Sequence, residues 1–364
     1  MSLLALANPQ EPLSNFLPRL KFPQWKVAEA LGVHRRSLER WMSQGLTVTE
    51  AEIAAKRAVE RHHRIPEYQK KDNMLVSITP DPSKLTQVLV QGDCVGAMKR
   101  LPDESIDLVV TSPPYATQRK ATYGGTPPDK YVEWFLPISA EIKRVLKPTG
   151  SFVLNIKENV VDGERSTYVM ELIMALRQQG WRWVDDYIWH KRNTFPGKWP
   201  NRFRDAWEHC LHFTKQKDFS MYQDAVMVPM GDWSKTRLTN LSDTDQTRDE
   251  SKVNSGFGKK VSNWVGREMA YPTNVLHLAT ECSNKKHSAA FPKGLPEWFI
   301  KLFTKDGDVV LDPFSGSGTT LSVAKSLRRS SIGIELSEEY AKVSATELEL
   351  KQISSDVYRW EFSE

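Results

Sequence analysis

At 364 residues and 40% hydrophobic, the chain is long enough to bury a full α/β core and to carry a smaller accessory unit. Basic residues exceed acidic ones only by five (50 against 45), which permits a nucleic-acid partner without requiring one. Cys94, Cys210 and Cys282 are too few for a disulfide scaffold and are not spaced for zinc, no apolar run reaches the ~20 residues of a membrane span, and the start MSLLALANPQEPLSNF lacks a basic region and a long apolar core, so a soluble, cytoplasmic, reducing setting is expected.

Residues 25–45, WKVAEALGVHRRSLERWMSQG, have the pattern of two helices, with Val27, Ala30 and Leu31 inward on the first, a break at Gly32, and Leu38 and Trp41 inward on the second. The pattern resembles a helix-turn-helix whose second helix displays Arg35, Arg36, Glu39 and Arg40; it also fits a plain helical hairpin with a basic, solvated face. A further basic helix, AEIAAKRAVERHHR, runs to Pro66. Residues 1–75 are therefore expected to form a small all-α unit in which Arg35, Arg36 and Arg40 would contact DNA.

From Leu85 onward short apolar runs alternate with helical stretches. TQVLVQ, IDLVVT, SFVLNI, VVLDPF and SIGIEL are near-continuous apolar segments, as parallel strands covered on both faces require. CVGAMKRL, YVEWFLPISAEIKRVL, YVMELIMALRQQG, LPEWFIKLFT and LSVAKSL separate them as helices. The alternation predicts an α/β fold with a doubly wound, mostly parallel sheet. WRWVDDYIWHK and EHCLHFTK read as added strands joined by the loop RNTFPGKWPNRFRDAW. Residues 215–270 then turn polar and basic, with Trp233, Phe257 and Trp264 interleaved among Lys and Arg, which reads either as disorder or as a functional loop system.

Two segments have the residue types of a chemical site. DLVVTSPPY, residues 107–115, is an apolar strand that delivers Thr111, Ser112, Pro113, Pro114 and Tyr115 to its carboxyl end, the edge where open α/β sheets bind ligands. Consecutive prolines fix the backbone and remove their own N–H donors, leaving carbonyl acceptors beside a hydroxyl and an aromatic ring. That set suits a flat heterocycle bearing an exocyclic amine. VVLDPFSGSGTT, residues 309–320, ends a strand in Asp312, turns through Pro313, Phe314, Gly316 and Gly318, and starts a helix near Thr319. The glycines allow close backbone approach and the helix start offers unpaired N–H groups. The next strand ends in Glu335, where a carboxylate can accept from ribose hydroxyls or merely cap the strand end. The dinucleotide pattern GxGxxG and the phosphate-loop Gly-Lys-Ser/Thr are both absent.

Together TSPPY and DPFSGSGTT resemble the paired signatures of bacterial restriction-modification DNA methyltransferases that act on exocyclic amines. With the catalytic motif first and the cofactor motif last, the order is similar to the permuted β class, over about Leu85 to Leu350. The resemblance implies a Rossmann-like fold of the S-adenosylmethionine-dependent methyltransferase type, that cofactor, and double-stranded DNA with a flipped target base. It implies catalytic residues Ser112, Pro113, Pro114 and Tyr115, with the Ser112 hydroxyl and the Pro113 carbonyl accepting from the amine and Tyr115 stacking on the base. Asp312, Pro313, Phe314, Gly316, Gly318, Thr319, Glu335 and Thr111 would hold the cofactor.

HSAAFPKGLPEWFIKLFT resembles the segment over the methionine part of the cofactor, which adds Phe291, Pro292 and Lys293, although Phe291 also fits a core aromatic. VQGDCVGAMKRL resembles the segment near the adenine, which adds Asp93, although Asp93 is also well placed to cap a helix. Within the family Ser-Pro-Pro-Tyr goes mostly with cytosine and Asp-Pro-Pro-Tyr mostly with adenine, so Ser112 implies cytosine-N4 methylation, with adenine-N6 as the alternative. Carbon-5 chemistry needs a cysteine after proline, and the three cysteines here follow Asp93, His209 and Glu281. The histidines at 209, 212, 277 and 287 lack ligand spacing and read as core or surface residues.

Gln118, Arg119, Lys120 and Tyr123 follow the catalytic motif and would touch backbone or base, or form only a basic loop. Base-edge readout needs Arg, Lys, Asn and Gln on an element that enters a groove. Residues 215–270 supply them, so Lys235, Arg237, Arg248, Lys259, Lys260 and Arg267 are expected to divide between phosphates and bases. The expected organisation is residues 1–75 as the helical unit, 85–214 as the catalytic half, 215–270 as the target-recognition insertion and 271–364 as the cofactor-binding half. A cognate endonuclease is an expected partner. A DNA-binding regulator with a vestigial methyltransferase domain is the competing reading.

Overall fold

A computed structural model of the chain describes residues 77–362 apart from 119–124, 195, 198–199, 243–263 and 281–290, together with 12–16, 42–44 and 47. The chain divides into two compact units, Met1–Leu75 and Val76–Glu364. In the first, the described pieces are a short helix Leu13–Phe16 and an antiparallel bridge between Pro12 and Thr47. The helix-turn-helix pattern, with Arg35, Arg36 and Arg40, lies outside the described residues.

The second unit is built on a ten-stranded sheet. In chain order its strands are β1 (Thr86–Gln91), β2 (Ile106–Thr111), β3 (Leu146–Ile156), β4 (Arg182–Lys191), β5 (Trp207–Thr214), β6 (Val275–Leu278), β7 (Val309–Asp312), β8 (Ser330–Glu335), β9 (Lys351–Gln352) and β10 (Val357–Glu361), arranged β6-β4-β5-β3-β2-β7-β8-β1-β10-β9. The neighbours β3, β2, β7, β8 and β1 are all parallel. Their side chains alternate between two cores, as a sheet covered on both faces demands: Val109 faces one, Leu108 and Val110 the other.

The first core is closed by α1 (Cys94–Met98), α2 (Pro128–Val145) and α3 (Tyr168–Gln178), with Tyr131, Phe135 and Leu172 fully buried. The second is closed by α5 (Gly294–Phe303), which follows α4 (Asp232–Thr239), and by α6 (Thr319–Ser326), through Leu295, Phe299, Phe303 and Val323. A satellite cluster seats α7 (Glu338–Glu347) through Ala341 and Ala345 against Leu89 and Tyr358. The mostly parallel, doubly covered sheet read from the sequence is therefore the one observed.

The two added strands also form, as β4 and β5. β5 runs antiparallel to both β3 and β4, so its first residues return to the carboxyl edge of the parallel strands. Among the elements not visible in the sequence are α4, β6, α7, β9 and β10. α7 lacks a strong apolar stripe and is fixed by Ser337, which accepts from Tyr340 N. β10 holds Arg359 and Trp360 amid its apolar residues and takes its place between β1 and β9, antiparallel to both.

Candidate active site

A cavity of about 600 Å³ opens along the carboxyl edge of the parallel strands. Its wall takes Ser112, Pro113, Pro114 and Tyr115 from the end of β2, Asp312, Pro313, Phe314, Gly316 and Thr319 from β7 and its turn, Glu335 from the end of β8, and Asp93, Gln118 and Phe291 from flanking segments. Asp93 and Glu335, 242 positions apart, thus meet because β2, β7 and β8 end at one edge beside the segment that follows β1.

On the cofactor-motif side, Asp312 is 1% exposed and accepts from Thr111 Oγ1 at 2.7 Å, Thr320 Oγ1 at 2.6 Å and Phe314 N at 3.1 Å. Burial raises its carboxyl to about 6 despite these donors. Glu335, 3% exposed, accepts from Gly316 N at 2.8 Å and Ser337 N at 2.7 Å. Gly318 has φ +83° and a side chain there would collide with Ser344, so the turn depends on glycine at this position. Asp93 performs the capping role, accepting from Gly96 N at 2.7 Å, and lines the cavity as well. Phe291 packs on the second core and also lines the cavity. Pro292 stands at the entry to α5, where its carbonyl accepts from Leu295 N.

The other side of the cavity holds residues that sequence reading missed. Tyr115 OH donates to Glu208 Oε2 at 2.6 Å, Asn155 Nδ2 donates to the same oxygen at 3.2 Å, and Lys191 Nζ pairs with Glu208 Oε1 at 2.5 Å. The Ser112 hydroxyl donates to Tyr115 OH at 3.3 Å. Glu208 is 6% exposed, and cross-strand pairing brings it next to Lys191, since Trp189 pairs with Glu208 and His190 with Trp207. Burial, and then the Glu208 charge, push the Tyr115 phenol well above its ordinary value, so it remains a donor. The Pro114 carbonyl is taken by Tyr131 OH at 3.1 Å. A clue in the sequence was the charge at each inner end of two apolar strands, Lys191 closing IWHK and Glu208 opening EHCLHF.

Behind this network His209 is clamped by Asp186 and Glu158, each at 2.9 Å, and these two carboxylates raise it to about 9 against the opposing effect of burial. His212 is a core histidine, held by Ser151 Oγ at 3.0 Å and lowered to about 3 by burial. His277 faces His190 across β6 and β4, and His287 and Cys282 lie outside the described residues. Cys94 and Cys210 are buried, and burial pushes the Cys94 thiol up to about 12. No group of three or more potential metal ligands occurs among the described residues.

Of residues 215–270, those at 215–242 and 264–270 are described. Val228–Pro229 pairs with Met269–Ala270, α4 follows, and Arg267 lies over the Trp264 ring at 4.9 Å. Lys235 is half-exposed and 3.3 Å from Glu268. Arg237 belongs to α4, while Arg119, Lys120, Arg248, Lys259 and Lys260 fall outside the described residues.

The DNA methylase family model matches residues 106–346. The chain is 34% identical over 275 residues to the type II methyltransferase M.PvuII of Proteus hauseri, covering 70% of this chain and 81% of that one. It is 30% identical over 292 residues to M.HinfI of Haemophilus influenzae, covering 74% and 70%. Among solved structures, PvuII DNA methyltransferase, described as cytosine-N4-specific, superposes with a TM-score of 0.55 at 28% identity over 73% of this chain and 87% of that one. The matched span includes both the Ser112–Tyr115 turn and the Asp312–Thr319 turn that meet in the cavity, and the chain belongs to the DNA methylase family.

Proposed function

We propose that the protein transfers a methyl group from S-adenosylmethionine to the N4 amine of cytosine within a specific sequence of double-stranded DNA, as the modification partner of a restriction endonuclease. The observation that carries this is the meeting, in one cavity, of an acceptor turn, Ser112 to Tyr115, with two almost fully buried carboxylates, Asp312 and Glu335. The volume suits a cofactor-sized ligand plus a flat base.

The donor set fits the cofactor. Glu335 retains accepting capacity for ribose hydroxyls, Asp312 is a buried anion suited to a cationic ligand, and Phe314 and Phe291 offer apolar surface. The cofactor supplies a methyl group made electrophilic by its sulfonium. An aromatic amine is a weak nucleophile because its lone pair is delocalised into the ring. Ser112 Oγ and the Pro113 carbonyl accept hydrogen bonds from its two N–H groups and draw the nitrogen toward tetrahedral geometry. The Tyr115 ring holds the flipped base, so the rate gain comes largely from positioning. No covalent intermediate with the protein is needed.

Site recognition belongs to residues 215–270, with Lys235, Arg237, Arg248, Lys259, Lys260 and Arg267 divided between phosphate and base edges. The unit 1–75, with Arg35, Arg36 and Arg40, adds DNA affinity or binds an operator on its own. Gln118, Arg119 and Lys120 steady the strand beside the flipped base. DNA treated with protein and S-adenosylmethionine, digested to nucleosides and analysed by mass spectrometry, should contain 4-methylcytosine. 6-Methyladenine instead would overturn the base assignment.

A further inference from the structure

Ser112 is useful only if its hydroxyl presents lone pairs to the base, yet a serine hydroxyl rotates freely and can donate as readily as it accepts. In this protein the hydroxyl is connected to a buried charge. Tyr115 OH has two acceptors within reach, Asn155 Oδ1 at 3.2 Å and Glu208 Oε2 at 2.6 Å; Glu208, ion-paired with Lys191, can only accept, and its shorter, charged contact takes the Tyr115 proton. The Tyr115 oxygen is then left as the acceptor for the Ser112 proton, 3.3 Å away. With its proton committed to Tyr115, the Ser112 oxygen can only accept from the cavity. The Ser112 contact is the longer and weaker leg; the Tyr115–Glu208 leg is short and charge-assisted.

Resting on the methyltransferase reading above, we propose that the chain Glu208–Tyr115–Ser112 fixes the hydrogen-bond polarity of the pocket, so that it takes a base carrying an exocyclic amine and rejects one carrying a carbonyl at the same position. Glu208 and Lys191 are positioning residues in this scheme; neither need touch the substrate. A uracil carbonyl brought to Ser112 meets an acceptor facing an acceptor, whereas a cytosine amine is matched. A pocket built around one donor–acceptor pattern discriminates strongly, because the wrong partner leaves buried polar groups unpaired.

Tyr115→Phe tests the chain with little risk to the fold. It removes one hydroxyl, keeps the ring that would stack on the base, and leaves Glu208 bonded to Lys191 and Asn155. The first readout is binding of the full-length protein, with S-adenosylmethionine, to duplexes bearing cytosine or uracil at the target opposite an abasic site, so that pairing contributes equally to both. Wild type should prefer cytosine by about tenfold or more, and Tyr115→Phe should lose most of that preference.

The second readout is kcat. It should fall about tenfold in Tyr115→Phe with KM for DNA nearly unchanged, and adding Glu208→Gln to Tyr115→Phe should cost much less than Glu208→Gln alone. An unchanged cytosine preference in Tyr115→Phe, or fully additive losses in the double variant, would overturn the proposal while methylation by wild type still upheld the enzyme. Absence of methylation by wild type would instead sink the underlying reading.

Discussion

The two sides of the cavity are built by different means. On the cofactor-motif side each acid is held by donors from its own turn or the adjoining strand: Phe314, Thr320 and Thr111 on Asp312, Gly316 and Ser337 on Glu335. On the Ser112 side the central carboxylate, Glu208, and its partner Lys191 arrive from β5 and β4, far from the turn they serve. A site made of contiguous loop can be recognised in a string of letters; one made by strand pairing becomes visible only when the sheet is assembled.

The contrast predicts unequal consequences of mutation. Asp312→Ala should do the most harm, because it orphans two buried hydroxyls and one N–H; a loss of about 2 kcal/mol in chemical denaturation, together with loss of measurable cofactor binding, is expected. Glu335→Gln turns one of its two accepting oxygens into a donor facing Gly316 N or Ser337 N, so calorimetry should find cofactor affinity down by about tenfold and denaturation a loss of about 1 kcal/mol, smaller than for Asp312→Ala.

Opposite responses to pH should separate the two sides further. Asp312 is raised to about 6, so its charge is lost as pH falls through that value, and affinity for a cationic cofactor should drop on acidification. His209 is raised to about 9 from an ordinary 6.5, so its clamp contributes fully below about pH 6.5 and is lost as pH rises through 9. The melting temperature should fall over that alkaline window, and His209→Gln should flatten the fall; an unchanged slope in the variant would refute the assignment.

The smallest effect belongs to the insertion. Lys235→Ala is expected to leave stability within about 0.5 kcal/mol of wild type, weaken DNA binding severalfold and lower the salt dependence by about one ion. Loss of site preference without any change in salt dependence would mean that Lys235 reads bases rather than phosphate.

Much of this was legible in advance. Five apolar runs gave the parallel core, and the turns at Ser112 and Asp312 gave the two poles of the cavity, since strand–turn–helix geometry keeps their residues together. Asp93 and Phe291 show why single residues are harder: each fills its bland role and lines the cavity too, a duality that no pattern of spacing reveals. Glu208, Lys191 and Asn155 were missed because their relation to Ser112 is created by the reversal of β5 beside β3. β10 was missed because its pairing with β1 spans almost the whole unit.

The central claim is that this cavity is where the methyl group moves, with Ser112 accepting from the target amine. It is tested most directly by following labelled methyl groups from S-adenosylmethionine to DNA with wild type and Ser112→Ala, cofactor binding being measured on both. The expected result is labelling by wild type, at least about 100-fold slower labelling by Ser112→Ala, and equal cofactor affinity. Labelling by Ser112→Ala at the wild-type rate would contradict the role given to this turn.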